Sequence, residues 1–478
     1  MLPWAVGPLA HRAPQYQNQY ALVNEDGWLR LAARSRRILA LPPELLAEIF
    51  FFCNEGLRVI PDPDDAPLSL CAVCQQWRSI ALTTPKLWSA IYLDSDFWAT
   101  PASGSLYVDL CRKWLSRARS SPLTICMDDS MPYDTAISLL EIISGLSQQW
   151  QDIELDIELD VSLPLASTHP GDGKYPFLEK LHIFSPPPNH PILSFRDAPR
   201  LRDVFISGYT TRIQLPWHQL TRFRTESMDL EACLDLLRHA SNLVEAYLRI
   251  WPYDCLALPN AIIPLPQLHS LNLSGASIHS YQHEYMEMVE MLPMTLLKCL
   301  KAPVLKALAL GFESFENSDP IDVSPFLSFM SQSSFQLDNL ALSLVPQTAD
   351  ALIKCLKATP SVIRLKLQIS YQVDADPLFV ELTGHRDFLP KLESLSIALP
   401  TWSSNIDALV VANMLLWRCV ISPATRLQSF RLAVIHNRDL EDSIKSDIKA
   451  HPAYPELEAS GTDLGLGERY FDAFMHLP

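Results

Sequence analysis

A chain of 478 residues, 48% of them apolar, can bury a substantial core, while its 14 glycines leave little material for phosphate-cradling loops. A formal charge of −16 argues against general nucleic-acid binding, which needs a cationic surface. The ten cysteines lack the dense spacing of a small secreted scaffold and read as reduced thiols of a cytoplasmic and/or nuclear protein.

Residues 1–36 read as an N-terminal extension, partly disordered. Its opening MLPWAVGPLA has no cationic residue ahead of it and no adequate apolar run, so no signal peptide is expected. Arg30, Arg34, Arg36 and Arg37 form a basic lead-in, dispersed as on a solvated helix face.

Residues 37–93 carry two amphipathic helical patterns. In the first, Pro42-Pro43 suits a helix start, and Leu45, Ile49 and Phe52 repeat at three-to-four spacing with Leu46 and Phe50 beside them. In the second, Leu70, Val73, Cys74, Trp77 and Ile80-Ala81 predict one helix that Pro85 stops, with Leu87-Trp88 after it. The apolar positions wrap more than one face of each helix. A unit of about fifty residues has little interior to hide them, so the surface calls for a partner as well as a core.

The order Leu41-Pro42, Glu44-Leu45-Leu46, Ile49-Phe50, Val73-Cys74, Trp77-Arg78, Ile80-Ala81 and Leu87-Trp88 resembles an F-box. That resemblance implies docking on the adaptor subunit of SCF-type cullin–RING ubiquitin ligases. The adaptor-binding residues would be Leu41, Pro42, Leu45, Leu46, Ile49, Phe50, Val73, Cys74, Trp77 and Trp88. One departure is the proline- and aspartate-rich insert Asn54–Pro67, which lengthens the loop between the helices.

Residues 94–149 read as connecting helices and a strand: a helix at 105–118, a strand at Leu123–Met127 and a helix at Ala136–Leu146. Strict alternation over Ile153–Asp160 then predicts a strand. From here an L-x-x-L-x-L motif with conservative swaps recurs, starting at Trp150, Leu178, Leu201, Leu220, Leu243, Leu268, Leu305, Leu337, Val362, Leu392 and Leu427. The starts fall about 19 to 37 residues apart, the range of leucine-rich repeats with insertions. Helical patterns lie between them, at Leu230–Leu237, Ala351–Leu356 and Leu409–Val420.

Over residues 150–440 the chain resembles the leucine-rich-repeat family, with the usual asparagine after the strand largely missing. The fold class expected is therefore α/β: a small helical F-box, then a solenoid of parallel strands inside and helices outside. Residues 441–478 read as a C-terminal tail in which Gly461, Gly465 and Gly467 form a loop cluster. The most apolar helical stretch, Leu409–Ile421, is too short to span a membrane and is interrupted by Asn413 and Arg418.

Catalytic motifs are not apparent. Cys71-x-x-Cys74 has the spacing of a metal or redox pair but falls mid-helix with no second pair, and reads as packing. His385-Arg386-Asp387 spells a kinase triplet without the asparagine, glycine-rich loop or DFG that would give it meaning. Met286, Met288 and Met291 read as helix packing. No cofactor or metal and no enzymatic activity are expected. The expected function is a substrate-recognition adaptor of an SCF-type ligase; the alternative is a leucine-rich scaffold with no ligase attached.

In L-x-x-L-x-L the strand period of two puts the third, fifth and seventh positions opposite the buried leucines. Three fifth positions, Arg224, Lys366 and Arg431, are cationic and none from Leu178 onward is acidic. This predicts an inner face that takes an acidic or phosphorylated protein segment on Arg224, Tyr247, Arg249, Lys366 and Arg431.

Overall fold

The computed structural model describes residues 41–53, 59–93, 103–128, 131–155, 174–184, 192–207, 213–251, 261–275, 293–294, 296–312, 322–333, 335–343, 348–369, 373–399, 406–421, 426–434 and 437–467. The arginines expected as a lead-in, the methionines at 286–291 and the second half of the alternating stretch at 153–160 lie outside these residues. The chain divides into two units, Met1–Ile91 with Trp114–Arg119, and Tyr92–Lys113 with Ser120–Pro478.

In the first unit, α1 (Pro43–Phe52) starts where its prolines suggest, with Pro42 at the N-cap and Pro43 in the first turn. Leu46 and Phe50, four residues apart on one face, are buried. The single helix expected from Leu70 to Ala81 is two: α2 (Leu68–Val73) and α3 (Gln75–Thr83). Cys74 between them is extended (φ −159°, ψ 170°), and its Sγ accepts the Trp77 amide at 3.5 Å as the N-cap of α3. Cys71 and Cys74 are therefore not mid-helix neighbours. Apolar spacing of three and four runs unbroken through such a joint, which is why the pattern read as one helix.

Thr84 ends α3 in an extended conformation, and Pro85–Trp88 form a 3-10 turn. Trp88 is fully buried, and its Nε1 donates to the Ala81 carbonyl at 2.8 Å. Its ring lies edge-on to Trp114, with centroids 4.8 Å apart, and the Arg117 guanidinium stands 4.3 Å from its centroid. Both partners come from the C-terminal end of α4 (Ser103–Ala118). Residues of α4 thus complete the core that the residues up to 93 begin.

A sheet of fourteen strands follows, parallel in every pairing from β2 to β18 whose register is defined. Its strands begin with β1 (Ala90–Leu93), β2 (Leu123–Met127), β3 (Trp150–Leu155) and β4 (Lys180–Phe184). After the short β5 (Leu193–Ser194) come β6 (Asp203–Ser207), the short β7 (Ile213–Gln214), β8 (Arg222–Asp229) and β9 (Glu245–Trp251). Then follow β10 (Ile263–Pro264), β11 (Ser270–Gly275), β12 (Leu300–Lys301), β13 (Ala307–Phe312), β14 (Asn339–Ser343) and β15 (Arg364–Gln368). The last are β16 (Ser394–Leu399), β17 (Ser429–Val434) and β18 (Asp463–Leu466). The short strands pair among themselves, β5 with β7 and β10 with β12, and every other strand lies beside its neighbours in the chain.

All eleven L-x-x-L-x-L motifs supply strands of this sheet. Their first, fourth and sixth residues point one way into the core, as Leu268, Leu271 and Leu273 do, all fully buried. Each such side chain contributes roughly 1.5–3 kcal/mol. The sheet runs past the repeat pattern at both ends. At the C-terminal end Gly465, expected in a loop cluster, is in β18 and pairs with Arg431 of β17.

Helices fill the connections: α5 (Tyr133–Ser144), α6 (Leu230–His239), α7 (Ser324–Ser333), α8 (Ala349–Lys357), α9 (Asp376–Gly384), α10 (Ala408–Leu416), α11 (Arg438–Ala450) and α12 (Tyr454–Ala459). Side chains cap several of them: the carboxylate of Asp229 accepts the Ala232 amide at 2.7 Å, and Asn437 Oδ1 accepts that of Leu440 at 3.1 Å. A π-helical turn, Trp417–Ile421, extends α10.

That turn carries Arg418, only 1% exposed. Its guanidinium donates to the carbonyls of Leu382 (2.8 Å), Leu389 (3.1 Å) and Phe388 (2.6 Å). Burial pulls its pKa down to about 10, which still leaves it charged at neutral pH. The thiols of Cys111, Cys233 and Cys355 are buried and pushed up to about 12, so they pack as small apolar groups. Among the described residues no helix is long and apolar enough to cross a membrane.

Candidate protein-docking surfaces

The first unit leaves large apolar side chains in water. Leu45, Ile49 and Phe52 occupy i, i+4 and i+7 of α1, the face turned away from Leu46 and Phe50, and all three are exposed, Phe52 by 76%. Val73 at the end of α2 is 58% exposed, and Phe51 is exposed as well. Such a row on a small unit marks an interaction surface.

The ten residues expected to bind an adaptor do not all lie on this surface. Leu45, Ile49 and Val73 are exposed, Pro42 is exposed at the start of α1, and Leu41, Cys74 and Trp77 are half-buried. Leu46, Phe50 and Trp88 are core residues, so they act by packing the unit rather than by touching a partner. Trp77 sits between the two groups, its ring 4.8 Å from Phe50. Phe52 was not among the ten, although its spacing from Leu45 and Ile49 already placed it on their face.

The second surface is the side of the sheet opposite the buried leucines. The strand registers align the fifth positions in one row: Glu154, His182, Phe205, Arg224, Tyr247, Asn272, Ala309, Ala341, Lys366, Ser396, Arg431 and Gly465. The row is not uniformly open. Asn272, Ala309 and Ala341, on β11, β13 and β14, are buried. The middle of this face therefore belongs to the interior and divides the expected contacts into two groups.

Toward the C-terminal end the row offers Lys366 and Arg431. Arg431 is committed within the chain: its guanidinium pairs with the Asp463 carboxylate of β18 and donates to the Asp463 carbonyl at 2.9 Å. That pair holds the Asp463 carboxyl below the usual carboxylate range. Arg431, expected as a substrate contact, thus also ties β17 to the edge strand β18. The partner escaped the sequence reading because β18 did.

Toward the N-terminal end the third-position row is a ladder of opposite charges. Lys180 pairs with Asp152 at 3.2 Å, and Arg222 pairs with Asp203 at 3.0 Å and Glu245 at 2.6 Å. Beside it the fifth row stacks: Glu154 lies 3.5 Å from His182, whose ring is 4.1 Å from that of Phe205. The Arg224 guanidinium stands 5.4 Å from the Phe205 ring centroid. Tyr247, next in register, is half-buried, and burial raises its pKa. Arg249, two residues on in β9, is half-buried. Phe205 and His182 were not expected contacts, though they share the fifth position with those that were.

The kinase-like triplet supplies His385 and Asp387 to a cleft of about 270 Å³, lined also by Leu356, Lys357, Glu381 and Phe388. There Glu381 pairs with Lys357 at 3.0 Å and lies 3.7 Å from His385, so its carboxylate is occupied by structural partners. Among the described residues no group of His, Cys, Asp and Glu gathers closely enough to hold a metal ion. Comparison with models of known protein families finds no match, and comparison with curated proteins finds none either.

Proposed function

We propose that this chain is the substrate-recognition adaptor of an SCF-type cullin–RING ubiquitin ligase, a non-catalytic subunit acting in the cytoplasm and/or nucleus. On this reading the first unit is an F-box that docks on the ligase's adaptor subunit, and the strand–helix array is a degenerate leucine-rich-repeat solenoid that holds a protein substrate. The observation that carries it is the exposed row Leu45, Ile49 and Phe52 on α1, with Val73 also exposed at the end of α2. A charge-free row of this kind loses water on docking and gains roughly 25 cal/mol per Å² of apolar surface covered. The array supports the second half of the reading, because one strand per repeat sets a graded series of side chains in register along one face. Chemistry would come from other subunits, with this chain contributing proximity and orientation.

The experiment is co-purification of full-length protein with the ligase adaptor. Leu45→Asp combined with Phe52→Asp should abolish it while leaving the heat-unfolding transition in place, since both side chains are already in water. Undiminished co-purification of that variant would refute this docking face. Absence of any adaptor with the wild-type chain would favour the scaffold reading.

A further inference from the structure

Ala408–Ile421, from α10 through its π-helical turn, contains one charged side chain, Arg418, and that one is turned inward. A helix that is apolar all round needs cover on both sides. Its interior side has cover: Val411, Ala412, Met414, Leu415, Arg418 and Cys419 are buried. Its outer side does not. Leu409 is 55% exposed and Val420 40%, Asn413 between them is exposed, and Leu416 is half-buried. These four stand at i, i+4, i+7 and i+11, a strip three turns and about 16 Å long.

Steps of four, three and four residues are those of the seam of a coiled coil, in which a and d positions alternate about every 3.5 residues. In that frame Leu409 and Leu416 take d, and Asn413 and Val420 take a. Every buried residue of the helix then falls at b, c, f or g, so burial divides the seam from the interior side without exception. Leucine at d with valine at a favours two parallel strands, and a lone asparagine at a fixes their register. Its amide carries both a donor and an acceptor, which an identical amide opposite can satisfy.

We propose that the outer side of α10 is a self-association surface, which receives the α10 of a second copy of this chain, parallel and in register, with Asn413 facing Asn413. A second copy is favoured over an unrelated helix because symmetry itself supplies the one polar partner that Asn413 needs. The e positions, Val410 and Trp417, carry no charge that would repel a like chain, although the whole chain stands at −16. At the start of the strip, the carboxylates of Asp374, Asp376 and Asp407 accept the amides of Asp376, Asp407 and Leu409 at 3.0, 3.1 and 2.8 Å. A parallel pair brings two such groups to the same end, so added salt should tighten it. About six residues a side is small beside the roughly 20–30 of a standard interface. The pairing is therefore reversible, with a Kd on the order of 10–100 µM. It lies in the second unit and does not depend on the ligase reading, which rests on the first.

The test is sedimentation equilibrium of purified full-length protein, without any ligase subunit, over a range of roughly 5–300 µM that brackets this Kd. Monomer should pass to dimer across the range, and at lower protein concentration when salt is raised. Leu409→Glu combined with Val420→Glu, both at exposed positions, should weaken association tenfold or more and leave the thermal midpoint in place. Asn413→Val should tighten association about tenfold and admit species larger than a dimer. Asn413→Cys treated with diamide, which accepts the two electrons and two protons of a thiol pair, should give a covalent dimer that wild type does not give. Wild type that stays monomeric throughout overturns the proposal. So does a dimer that survives Leu409→Glu with Val420→Glu but is lost in Leu45→Asp with Phe52→Asp, since it belongs to the first unit. A dimer in which Asn413→Cys fails to cross-link overturns the parallel register.

Discussion

Arg418 donates through Nη1 to the carbonyl of Leu389 at 3.1 Å, and Leu389 is one of the two non-glycine residues with positive φ (48°) among those described. A left-handed leucine is unfavourable on its own, and the buried guanidinium gives its carbonyl a partner in that geometry. The same group closes the end of α9 through Leu382 and holds Phe388. One arginine thereby satisfies three buried acceptors, and among the described residues it makes no ion pair.

Arg418→Met should leave those carbonyls without donors and destabilise the chain by about 3 kcal/mol or more. Arg418→Lys should recover only part, because an ammonium cannot reach three carbonyls in the plane of a fork. Urea unfolding measures both. A midpoint unchanged in Arg418→Met would mean that water replaces the guanidinium.

The first unit should require the end of α4. A fragment ending at residue 93 lacks Trp114 and Arg117, so one face of Trp88 loses its packing. Its tryptophan emission should be red-shifted relative to a fragment ending at residue 119. Within the full chain, Trp88→Ala should destabilise this unit by roughly 3–5 kcal/mol. Identical emission from the two fragments would show that residues up to 93 close this core alone.

Two glycines near the C-terminus should respond differently to alanine. Gly467 has φ 134°, and a Cβ there would meet Glu441 Oε1 at 2.8 Å. Gly461 has φ 75° with nothing within 4 Å of an added Cβ. Gly461→Ala should cost about 1 kcal/mol, the strain of a left-handed alanine, and Gly467→Ala more. Thermal unfolding of the two variants checks the order, and a reversed order would contradict the contact with Glu441.

Acid should loosen the β17–β18 edge. Arg431 holds the Asp463 carboxyl below its ordinary value of 3.8, so the stability it adds is present above that value and fades as pH falls through the lower folded-state pKa. The carboxylate is largely exposed, which keeps the effect small. Asp463→Asn should therefore be slightly less stable than wild type at neutral pH, and the gap should close in acid. A gap that persists at the lowest pH would assign the loss to something other than this ion pair.

The strand positions were legible because the leucine pattern is a direct consequence of strand geometry: Leu305, Leu308 and Leu310 can share one face only if the backbone between them is extended. The strand β18 was not legible. Asp463-Leu464-Gly465-Leu466 keeps only two apolar residues, and its glycine, with Gly461 and Gly467 on either side, mimics a loop. The break at Cys74 was hidden by spacing that fits a helix on either side. The inner face was read as open because alternation says which side a residue takes and nothing about what lies above it. There Ala309 and Ala341, with Asn272 beside them, are buried.

The order of the sheet, in which β18 touches only β17 and each strand from there back has just two neighbours, also fixes how the protein would yield to force. Pulled from its C-terminus, the chain would release one edge strand at a time, beginning with the Arg431–Asp463 clasp, because among the described residues the outermost strand pairs with β17 alone. Each step would free some 30 residues, or roughly 100 Å of extended chain. The trace would be a staircase rather than a single rupture. A motor that threads the protein from that end would meet many small loads in succession instead of one large one.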